Sequence, residues 1–267
     1  MLFASFLIII LGLVLGSFAN CIVWRLYRQE TIMGRSYCPL CHKKLRWYDN
    51  IPLLSYIILR GRCRFCRKHI SWQYPVVEAL VAILFFFFWF KHLGFIWRDF
   101  DFLMTAIGSL SFWLPLWRDL LAVWAFTVIF IFDLRFYLVS NLIVWPFGLC
   151  FIIINLLLGA SWLALLITMA SAALFFGLQF ILTRGRGLGE GDIWLGLLLG
   201  ALFPDGEMLV LAILSAYLLG TIVGVGLILL GRKRWGSKIP LGVFLALGAL
   251  LALAYGSELL SIYWQLL

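Results

Sequence analysis

Apolar runs of close to twenty residues recur along most of the chain, and they restrict its fold more than any other feature. A helix that crosses the hydrocarbon core of a bilayer needs about 20 consecutive, mostly apolar residues. Hydrophobic residues occupy 64% of the 267 positions and charged residues only 12%, whereas soluble domains have roughly half and roughly a quarter. The sequence therefore predicts an all-α polytopic membrane protein. We place eight transmembrane helices near residues 3–23, 76–93, 119–138, 138–158, 161–182, 191–204, 207–231 and 239–264.

The distribution of basic residues predicts how these helices are oriented. Residues 25–68 contain eleven Lys and Arg residues but only two acidic ones, and loops rich in Lys and Arg lie on the cytoplasmic side of a membrane. The N-terminus is therefore predicted to be outside. The same count places the basic clusters at 184–186 and 232–238 in the cytoplasm. It requires that the apolar stretch 94–118 is an extracytoplasmic loop and not a ninth helix.

The formal net charge of +9 follows from these basic loops. Basic residues at the cytoplasmic face complement anionic lipid headgroups. Membrane lipid is therefore the expected partner, and no nucleic acid partner is needed to explain the charge.

Residues 25–75 are the candidate soluble domain, between the first and second predicted helices. A domain of about fifty residues buries only a small hydrophobic core, so it needs disulfides or a bound metal ion to stabilise its fold. "CPLC" at 38–41 and "CRFC" at 63–66 are two Cys-x2-Cys pairs separated by 21 residues, close to the spacing of zinc ribbons. Two disulfides are the alternative, but a cytoplasmic domain lies in a reducing compartment. We predict one structural zinc ion, with four thiolates as its ligands: Cys38, Cys41, Cys63 and Cys66.

Two of the twelve acidic residues, Asp133 and Asp192, interrupt sequence that is predicted to lie in the membrane. A carboxylate at that depth costs about 3 kcal/mol on insertion scales, which makes it a candidate functional group. The helix count places both residues near the cytoplasmic ends of their helices, so they can meet at one depth. Structural alternatives are a helix N-cap for Asp192, and an ion pair with Arg135 or a snorkelling carboxylate for Asp133.

Two carboxylates at one depth in a low-dielectric cleft are typical of aspartyl proteolysis. Like charges so close cannot both ionise, so the pair shares a proton. The ionised aspartate can then deprotonate a bridging water while the protonated one polarises the scissile carbonyl. Gly187, Gly189 and Gly191 precede Asp192, and residues without a Cβ let the backbone approach a substrate or adopt irregular conformations.

The stretch "GLGEGD" at 187–192 matches the Gly-x-Gly-x-Gly-Asp signature of the prepilin peptidases. These are bifunctional leader peptidases of type IV pili and type II secretion, and the whole chain resembles them. The similarity includes "GSFANCIVWRL" at 16–26, the cysteine-containing segment 35–80 and "KIPLGVFLALGAL" at 238–250. In that family the first catalytic aspartate ends the third helix and the second belongs to the glycine signature. The resemblance thereby assigns catalysis to Asp133 and Asp192.

Two positions near the aspartates differ from the family pattern. Ser140 and Asn141 stand where the family often has Pro-Asp, and Trp194 stands where it often has Lys. Neither difference affects the paired-carboxylate chemistry. Both differences mean that the substrate contacts which the resemblance implies near the aspartates need not be the same in this chain.

The resemblance also implies a substrate, a location and a division of the chain. The substrate is a prepilin or pseudopilin whose short basic leader is removed at the cytoplasmic face of the bacterial inner membrane. Residues 1–24 are then the first transmembrane helix, 25–75 a zinc-ribbon-like domain and 76–267 the transmembrane peptidase core.

A second activity, N-methylation of the new N-terminus with S-adenosylmethionine, is likewise implied by the resemblance. The residues themselves give no independent sign of it. The polar candidates that are predicted to face the cytoplasm are Asn20, Asp49, Asn50, Arg60 and Glu78, and each has an alternative role in capping, turns or packing.

Two other classes of function stay open on the residues alone. One is a different intramembrane aspartyl protease that cuts within transmembrane segments, which the resemblance of the zinc domain disfavours. The other is an ion-coupled transporter or membrane assembly scaffold in which the two aspartates carry protons or ions. No inverted repeat is evident in the sequence, and the half-length run 191–204 suits either class.

Overall fold

The computed structural model describes residues 2–94, 110–185, 187–234 and 237–266, and its regular structure is almost entirely helical. The chain divides into two compact units, Met1–Gly108 and Ser109–Leu267. The α-helices of the described residues are α1 (Leu2–Arg28), α2 (Leu54–Ile58), α3 (Gln73–Gly94), α4 (Leu110–Phe136), α5 (Asn141–Leu157), α6 (Trp162–Leu182), α7 (Glu190–Leu202), α8 (Gly206–Leu229) and α9 (Leu241–Leu266).

The all-α prediction is confirmed, and each of the eight predicted membrane segments coincides with a helix. Within the described ranges, α1, α3, α6, α8 and α9 are long and apolar enough to cross a membrane. Helix α5 is apolar but has only 17 residues, and α7 has only 13. The five long helices make this a multi-pass membrane protein, and the total of eight crossings stays a prediction.

The prediction of a loop over 94–118 is wrong for its second half. Helix α4 begins at Leu110, not near residue 119; residues 95–109 lie outside the described part of the chain. Phe112 and Leu116 are buried, so the apolar character of this stretch serves helix packing.

Helix α1 extends to Arg28, beyond the predicted end near residue 23. The physical reason is Arg25, which is buried although it is charged. Its guanidinium donates hydrogen bonds to four backbone carbonyls of the segment that follows the helix: those of Thr31, Ile32, Gly34 and Arg35. The first of the basic residues therefore fixes the exit of the chain from α1.

Unit Met1–Gly108 is built on the packing of α1 against α3. Gly12 and Gly16 lie one turn apart on α1. A Cβ at Gly12 would lie 2.6 Å from the Cα of Ala82, and a Cβ at Gly16 would lie 2.7 Å from the Cα of Glu78. This is the small-xxx-small pattern that lets two membrane helices approach closely. The segment between these helices contains α2 and the cysteine pairs.

In unit Ser109–Leu267, α7 is the helix that carries Asp192. Its 13 residues span about 20 Å, less than the about 30 Å of hydrocarbon in a bilayer, so its last carbonyls need partners inside the protein. The buried amide of Asn155 on α5 donates to the carbonyls of Ala201 and Leu202, at 2.8 and 3.1 Å. Arg118 on α4 donates to Oδ1 of Asn155 at 3.3 Å. This polar network holds the C-terminal end of α7.

The orientation of the helices is a testable prediction. We expect labels from the cytoplasm at Ser36, Arg62, Gly185 and Arg234, and from outside at Ala160, Asp205 and Leu266, because this arrangement keeps the basic loops inside. Trp97, expected outside, falls in the undescribed segment. A membrane-impermeant maleimide on single-cysteine variants measures this. If residue 185 reacts from outside and residue 62 does not, the chain has another crossing and the orientation is wrong.

Candidate functional site

Asp133 lies in the last turn of α4 and is buried. Its Oδ2 atom accepts a hydrogen bond from the backbone N–H of Val243 at 3.1 Å. Val243 is the third residue of α9, and the first four N–H groups of a helix have no partner within it. The carboxylate of Asp133 thus caps the N-terminus of α9. The alternative from the sequence, an ion pair between Asp133 and Arg135, is not found between these two described residues.

The last helix approaches Asp133 closely at Gly242. A Cβ on this residue would lie 2.8 Å from Oδ2 and 3.2 Å from Cγ of Asp133, and 3.1 Å from Cδ1 of Leu195. Leu195 stands one turn after Asp192 on α7. The absence of a side chain at Gly242 therefore allows α4, α7 and α9 to pack closely together at this point.

Asp192 is the third residue of α7 and is also buried. Its Oδ2 accepts a hydrogen bond from the N–H of Gly189, the N-cap residue, at 2.9 Å. Asp192 is not the N-cap residue itself, as the structural alternative had it, but the third residue of the helix. Its contact with the N-cap residue Gly189 is a helix-capping interaction. It does not compete with a catalytic role, because a capped carboxylate can still exchange a proton.

The structure brings the two aspartates to the same end of their unit. Asp133 lies in the last turn of α4 and Asp192 in the first turn of α7, while Arg118 on α4 and the last carbonyls of α7 are joined through Asn155. The two carboxylates are close enough to interact electrostatically. Each is buried and has one oxygen fixed by a backbone N–H at a helix start. Two buried carboxylates in electrostatic contact are the groups from which proton sharing and activation of a water can be proposed.

The three glycines before Asp192 differ in what the structure requires of them. A Cβ at Gly191 would lie 2.7 Å from Cβ of Val139. At Gly189 the nearest atom would be 3.8 Å away, and at Gly187 a methyl group of Thr183 would be at 3.2 Å. None of the three has a left-handed backbone, whereas Gly185, just before them, does (φ +70°). Close approach is thus required at Gly191, and the expected irregular conformation is at Gly185.

Two polar residues near Asp192 were missed by the sequence analysis. Tyr217 on α8 donates a hydrogen bond to Oε1 of Gln179 on α6 at 2.8 Å, and it interacts electrostatically with Asp192. Both residues are embedded in apolar sequence, where a single hydroxyl or amide gives no motif. Glu190, by contrast, is exposed at the start of α7.

The positions that differ from the resembling family have structural roles. Ser140 is the N-cap residue of α5. The ring of Trp194 packs against that of Trp145 on α5, with 5.1 Å between centroids. Trp194 therefore contributes to the contact between α5 and α7.

The four cysteines of the Cys-x2-Cys pairs form a second candidate site, in unit Met1–Gly108. Their sulfur atoms all lie within 4.8 Å of one another and could hold a metal ion. All six cysteines of the chain are free thiols, so the two-disulfide alternative is not what the structure shows. Sγ of Cys38 is 3.9 Å from Sγ of Cys66. Zn–S bonds of about 2.3 Å place tetrahedral sulfurs about 3.8 Å apart, so the cluster fits zinc.

The two cysteine pairs lie in turns that repeat with an offset of 25 residues. The N–H of Cys38 donates to the carbonyl of Lys43 at 3.0 Å, and that of Cys63 to the carbonyl of Lys68 at 2.9 Å. Isolated antiparallel bridges flank the turns at equivalent positions, Tyr37 with Lys44 and Arg62 with His69. Two equal turns that present two thiols each are the arrangement of a zinc ribbon. The histidines beside the pairs are not part of the cluster.

Most of the polar residues considered for cofactor binding are engaged with the protein. Asn20 donates to the carbonyls of Gly16 and Tyr74, both at 3.3 Å. Asp49 forms an ion pair with Arg64 at 2.7 Å. The remaining contacts join Asn50 to Ser36 and Glu78 to the N–H of Leu53. These residues serve the fold of unit Met1–Gly108, and Arg60 is exposed.

Both candidate sites lie in segments that match known protein families. Residues 10–92 match the bacterial peptidase A24 N-terminal domain, and residues 120–225 match the type IV leader peptidase family. The prepilin leader peptidase/N-methyltransferase of Pseudomonas aeruginosa is 30% identical over an alignment of 292 residues, gaps included, that spans 96% of this chain and 92% of that protein. The chain belongs to the type IV leader peptidase family.

Relatives elsewhere in bacteria have the same name. The protein of Bacillus subtilis is 29% identical over 262 residues, and the alignment covers 96% of each chain. The protein of Myxococcus xanthus is 51% identical over 86 residues, which are 32% of this chain and 25% of that protein. No solved structure matches the chain. The segment that matches the family contains both aspartates, and the N-terminal match contains the four cysteines. Family membership makes the chain a membrane peptidase and sets the transporter and scaffold alternatives aside.

Proposed function

We propose that this chain removes the leader from type IV prepilins or pseudopilins by aspartyl catalysis at Asp133 and Asp192. One observation carries the assignment of these residues. They are buried carboxylates at the same end of one unit, close enough to interact, and each is held by a backbone N–H at a helix start. The relatives are prepilin leader peptidases, so prepilins are the substrate class.

The proposed reaction needs only the two carboxylates and one water molecule. The ionised aspartate takes a proton from water as the water oxygen attacks the scissile carbonyl carbon, and the protonated aspartate donates its proton to the carbonyl oxygen. The tetrahedral intermediate then collapses. The C–N bond breaks, the amine nitrogen gains a proton, and the hydroxyl proton returns to the pair. The hydrogen bonds from Val243 and Gly189 hold both carboxylates in position throughout.

The position of the pair suits a substrate that straddles the membrane surface. Asp133 and Asp192 lie at helix ends next to the basic segments around residues 184 and 232, which we place in the cytoplasm. The leader of the substrate would be cut at that face while its apolar helix stays in the bilayer. The N-terminus of this enzyme is outside in this arrangement.

We infer that methyl transfer to the new N-terminal amine accompanies cleavage, because the relatives are named N-methyltransferases. S-adenosylmethionine would supply the methyl group. Asn20, Asp49 and Glu78 each have hydrogen-bond partners within the protein.

A cleavage assay with purified components tests the proposed function. The detergent-solubilised enzyme is incubated with a purified prepilin, and the product is analysed by mass spectrometry. We expect loss of the leader alone, and the mass of one further methyl group when S-adenosylmethionine is added. A cut inside the apolar helix of the substrate would indicate another class of intramembrane protease. Absence of any cleavage would contradict the proposal.

The cysteine cluster yields a separate prediction. We expect one zinc ion per chain, and loss of this zinc together with local unfolding when Cys38 or Cys63 is replaced by Ser, because so small a domain folds around its metal. Metal analysis and limited proteolysis of the purified protein measure the two effects. Cys150→Ser, outside the cluster, is the matched control and should retain zinc. Near-zero zinc in protein that still cleaves prepilin would exclude the structural role.

A further inference from the structure

We propose that α2 is an interfacial anchor, which inserts its exposed apolar side chains into the bilayer surface beside the start of α3. The inference concerns unit Met1–Gly108 alone and does not depend on the proposed peptidase mechanism. The occupant of this surface is the lipid at the boundary between headgroups and acyl chains.

The apolar residues of α2 are exposed on one face. Leu54, Ile57 and Ile58 are 51%, 69% and 64% exposed. Positions i, i+3 and i+4 of a helix lie on the same side. A small domain in water would bury such a group, so the exposed face needs an apolar environment.

The other side of α2 is firmly attached to the second cysteine turn. The ring of Tyr56 packs against that of Trp72 with 5.4 Å between centroids. Its hydroxyl donates to the carbonyl of Ile70 at 3.4 Å, and a Cβ on Gly61 would lie 2.8 Å from this hydroxyl. The orientation of α2 is therefore fixed, and the exposed face is a constant feature of the unit.

A hydrogen bond sets the depth of α2 relative to the membrane helix. The N–H of Leu53, the residue before α2, donates to Oε2 of Glu78 at 2.8 Å. Glu78 is the sixth residue of α3, so it lies about 8 Å along that helix from its start. Helix α3 is long and apolar enough to cross a membrane, and α2 begins at the level of its second turn. With the start of α3 at the membrane surface, this level matches the depth of about 5–10 Å at which interfacial helices bury their apolar faces.

The surface of α3 near this level is also exposed and apolar. Val76 and Leu80, on either side of Glu78 in the sequence, are 57% and 43% exposed. Together with Ile83 they form an exposed apolar stripe on α3. At 3.6 residues per turn this stripe lies on the side of α3 away from Glu78, so it places lipid around this helix at the level where α2 begins, not against α2 itself.

The residues around α2 have the composition of a membrane interface. Arg60 and Arg62 follow it directly and are exposed, where they can pair with anionic headgroups. Trp72, largely exposed, immediately precedes α3, and tryptophan is enriched at the boundary between membrane and water. An apolar helix face flanked by arginines and a tryptophan matches a lipid surface better than an aqueous one.

Photo-cross-linking of the full-length protein tests the anchor without using cysteine chemistry. Ile57 is replaced by p-benzoylphenylalanine, the protein is reconstituted into vesicles of phosphatidylethanolamine and phosphatidylglycerol, and adducts are identified by mass spectrometry after irradiation. Two control variants carry p-benzoylphenylalanine elsewhere. At position 83 on α3 it serves as the control for a side chain in contact with lipid. At position 68, an exposed lysine of the second cysteine turn, it serves as the control for a side chain in water. We expect lipid adducts at 57 with a yield comparable to that at 83, and none above background at 68.

Two results would overturn the proposal. A yield of lipid adducts at 57 as low as at 68 would place α2 in water. Adducts at 57 to a second copy of the chain, or to a prepilin added to the vesicles, in place of lipid would identify the face as a protein interface. A position 57 variant that retains prepilin cleavage shows that the fold is intact, and the position 83 adducts confirm insertion even if cleavage is absent.

Discussion

Replacing Asp133 or Asp192 with Asn is expected to reduce leader cleavage by several orders of magnitude, because members of a catalytic pair act as a unit. Asn keeps the size of the side chain and can still accept the hydrogen bond from Val243 or Gly189, but it cannot carry the shared proton. For the same reason the double variant should be little worse than either single one. The measurement is the turnover of a purified prepilin by each variant.

Glu190→Gln is the matched control for these variants. Glu190 lies two residues before Asp192, also in the first turn of α7, but it is exposed, so it should tolerate the loss of charge with a modest effect. Melting temperatures test for a folding defect, and we expect none, because Asn keeps the capping hydrogen bonds and removes a buried ionisable group. Substantial cleavage by either Asp variant, or a Glu190→Gln enzyme as inactive as they are, would show that the pair is wrongly assigned.

The sequence was sufficient for features that have a fixed spacing or a fixed physical requirement. The cysteine cluster is an example, since four thiols in two Cys-x2-Cys pairs have few ways to converge. The common depth of the two aspartates is another. It followed from counting apolar runs and basic loops, and in the structure Asp133 lies in the last turn of α4 and Asp192 in the first turn of α7.

The partners of the carboxylates could not be predicted in the same way. The N–H of Val243 is 110 residues from Asp133 in sequence, and every residue but proline has such a group, so no side chain marks it. Asn155 is similar, since its role is to satisfy two carbonyls of α7 that only the folded helix leaves without partners. Helix α2 was missed for a different reason: a helix of five residues, three of them aliphatic, inside a soluble segment has no membrane-length signal.

Gly191 shows how a motif can be recognised and its reason missed. From the sequence, these glycines are expected to allow the approach of a substrate and an irregular backbone. In the structure, Gly191 is needed because Val139 packs where a Cβ would be, and Gly189 has room for one. A glycine pattern alone does not distinguish packing within the protein from contact with a ligand, because both need the same missing atom.

Gly242→Ala is expected to lower cleavage by about a hundredfold, which is the scale of effect that a displacement of about 1 Å has on a catalytic geometry. The new methyl carbon would begin 2.8 Å from Oδ2 of Asp133 and 3.1 Å from Cδ1 of Leu195. The carboxylate or the start of α9 must move, and either movement breaks the hydrogen bond from Val243 that holds Asp133. Prepilin turnover at saturating substrate measures the loss, which should be in kcat because no bound part of the substrate is removed.

Gly226→Ala on α8 separates this effect from the general consequences of removing a glycine. A Cβ at Gly226 meets nothing within 4 Å, and alanine is favoured over glycine in a helix interior by about 1 kcal/mol. That variant should therefore melt at the same temperature or higher and cleave normally. Gly242→Ala should also remain folded, because only its neighbours at the aspartates are crowded. If Gly242→Ala cleaves as well as Gly226→Ala, the contact between α9 and Asp133 has no part in positioning the carboxylate, and the hydrogen bond from Val243 is not needed for catalysis.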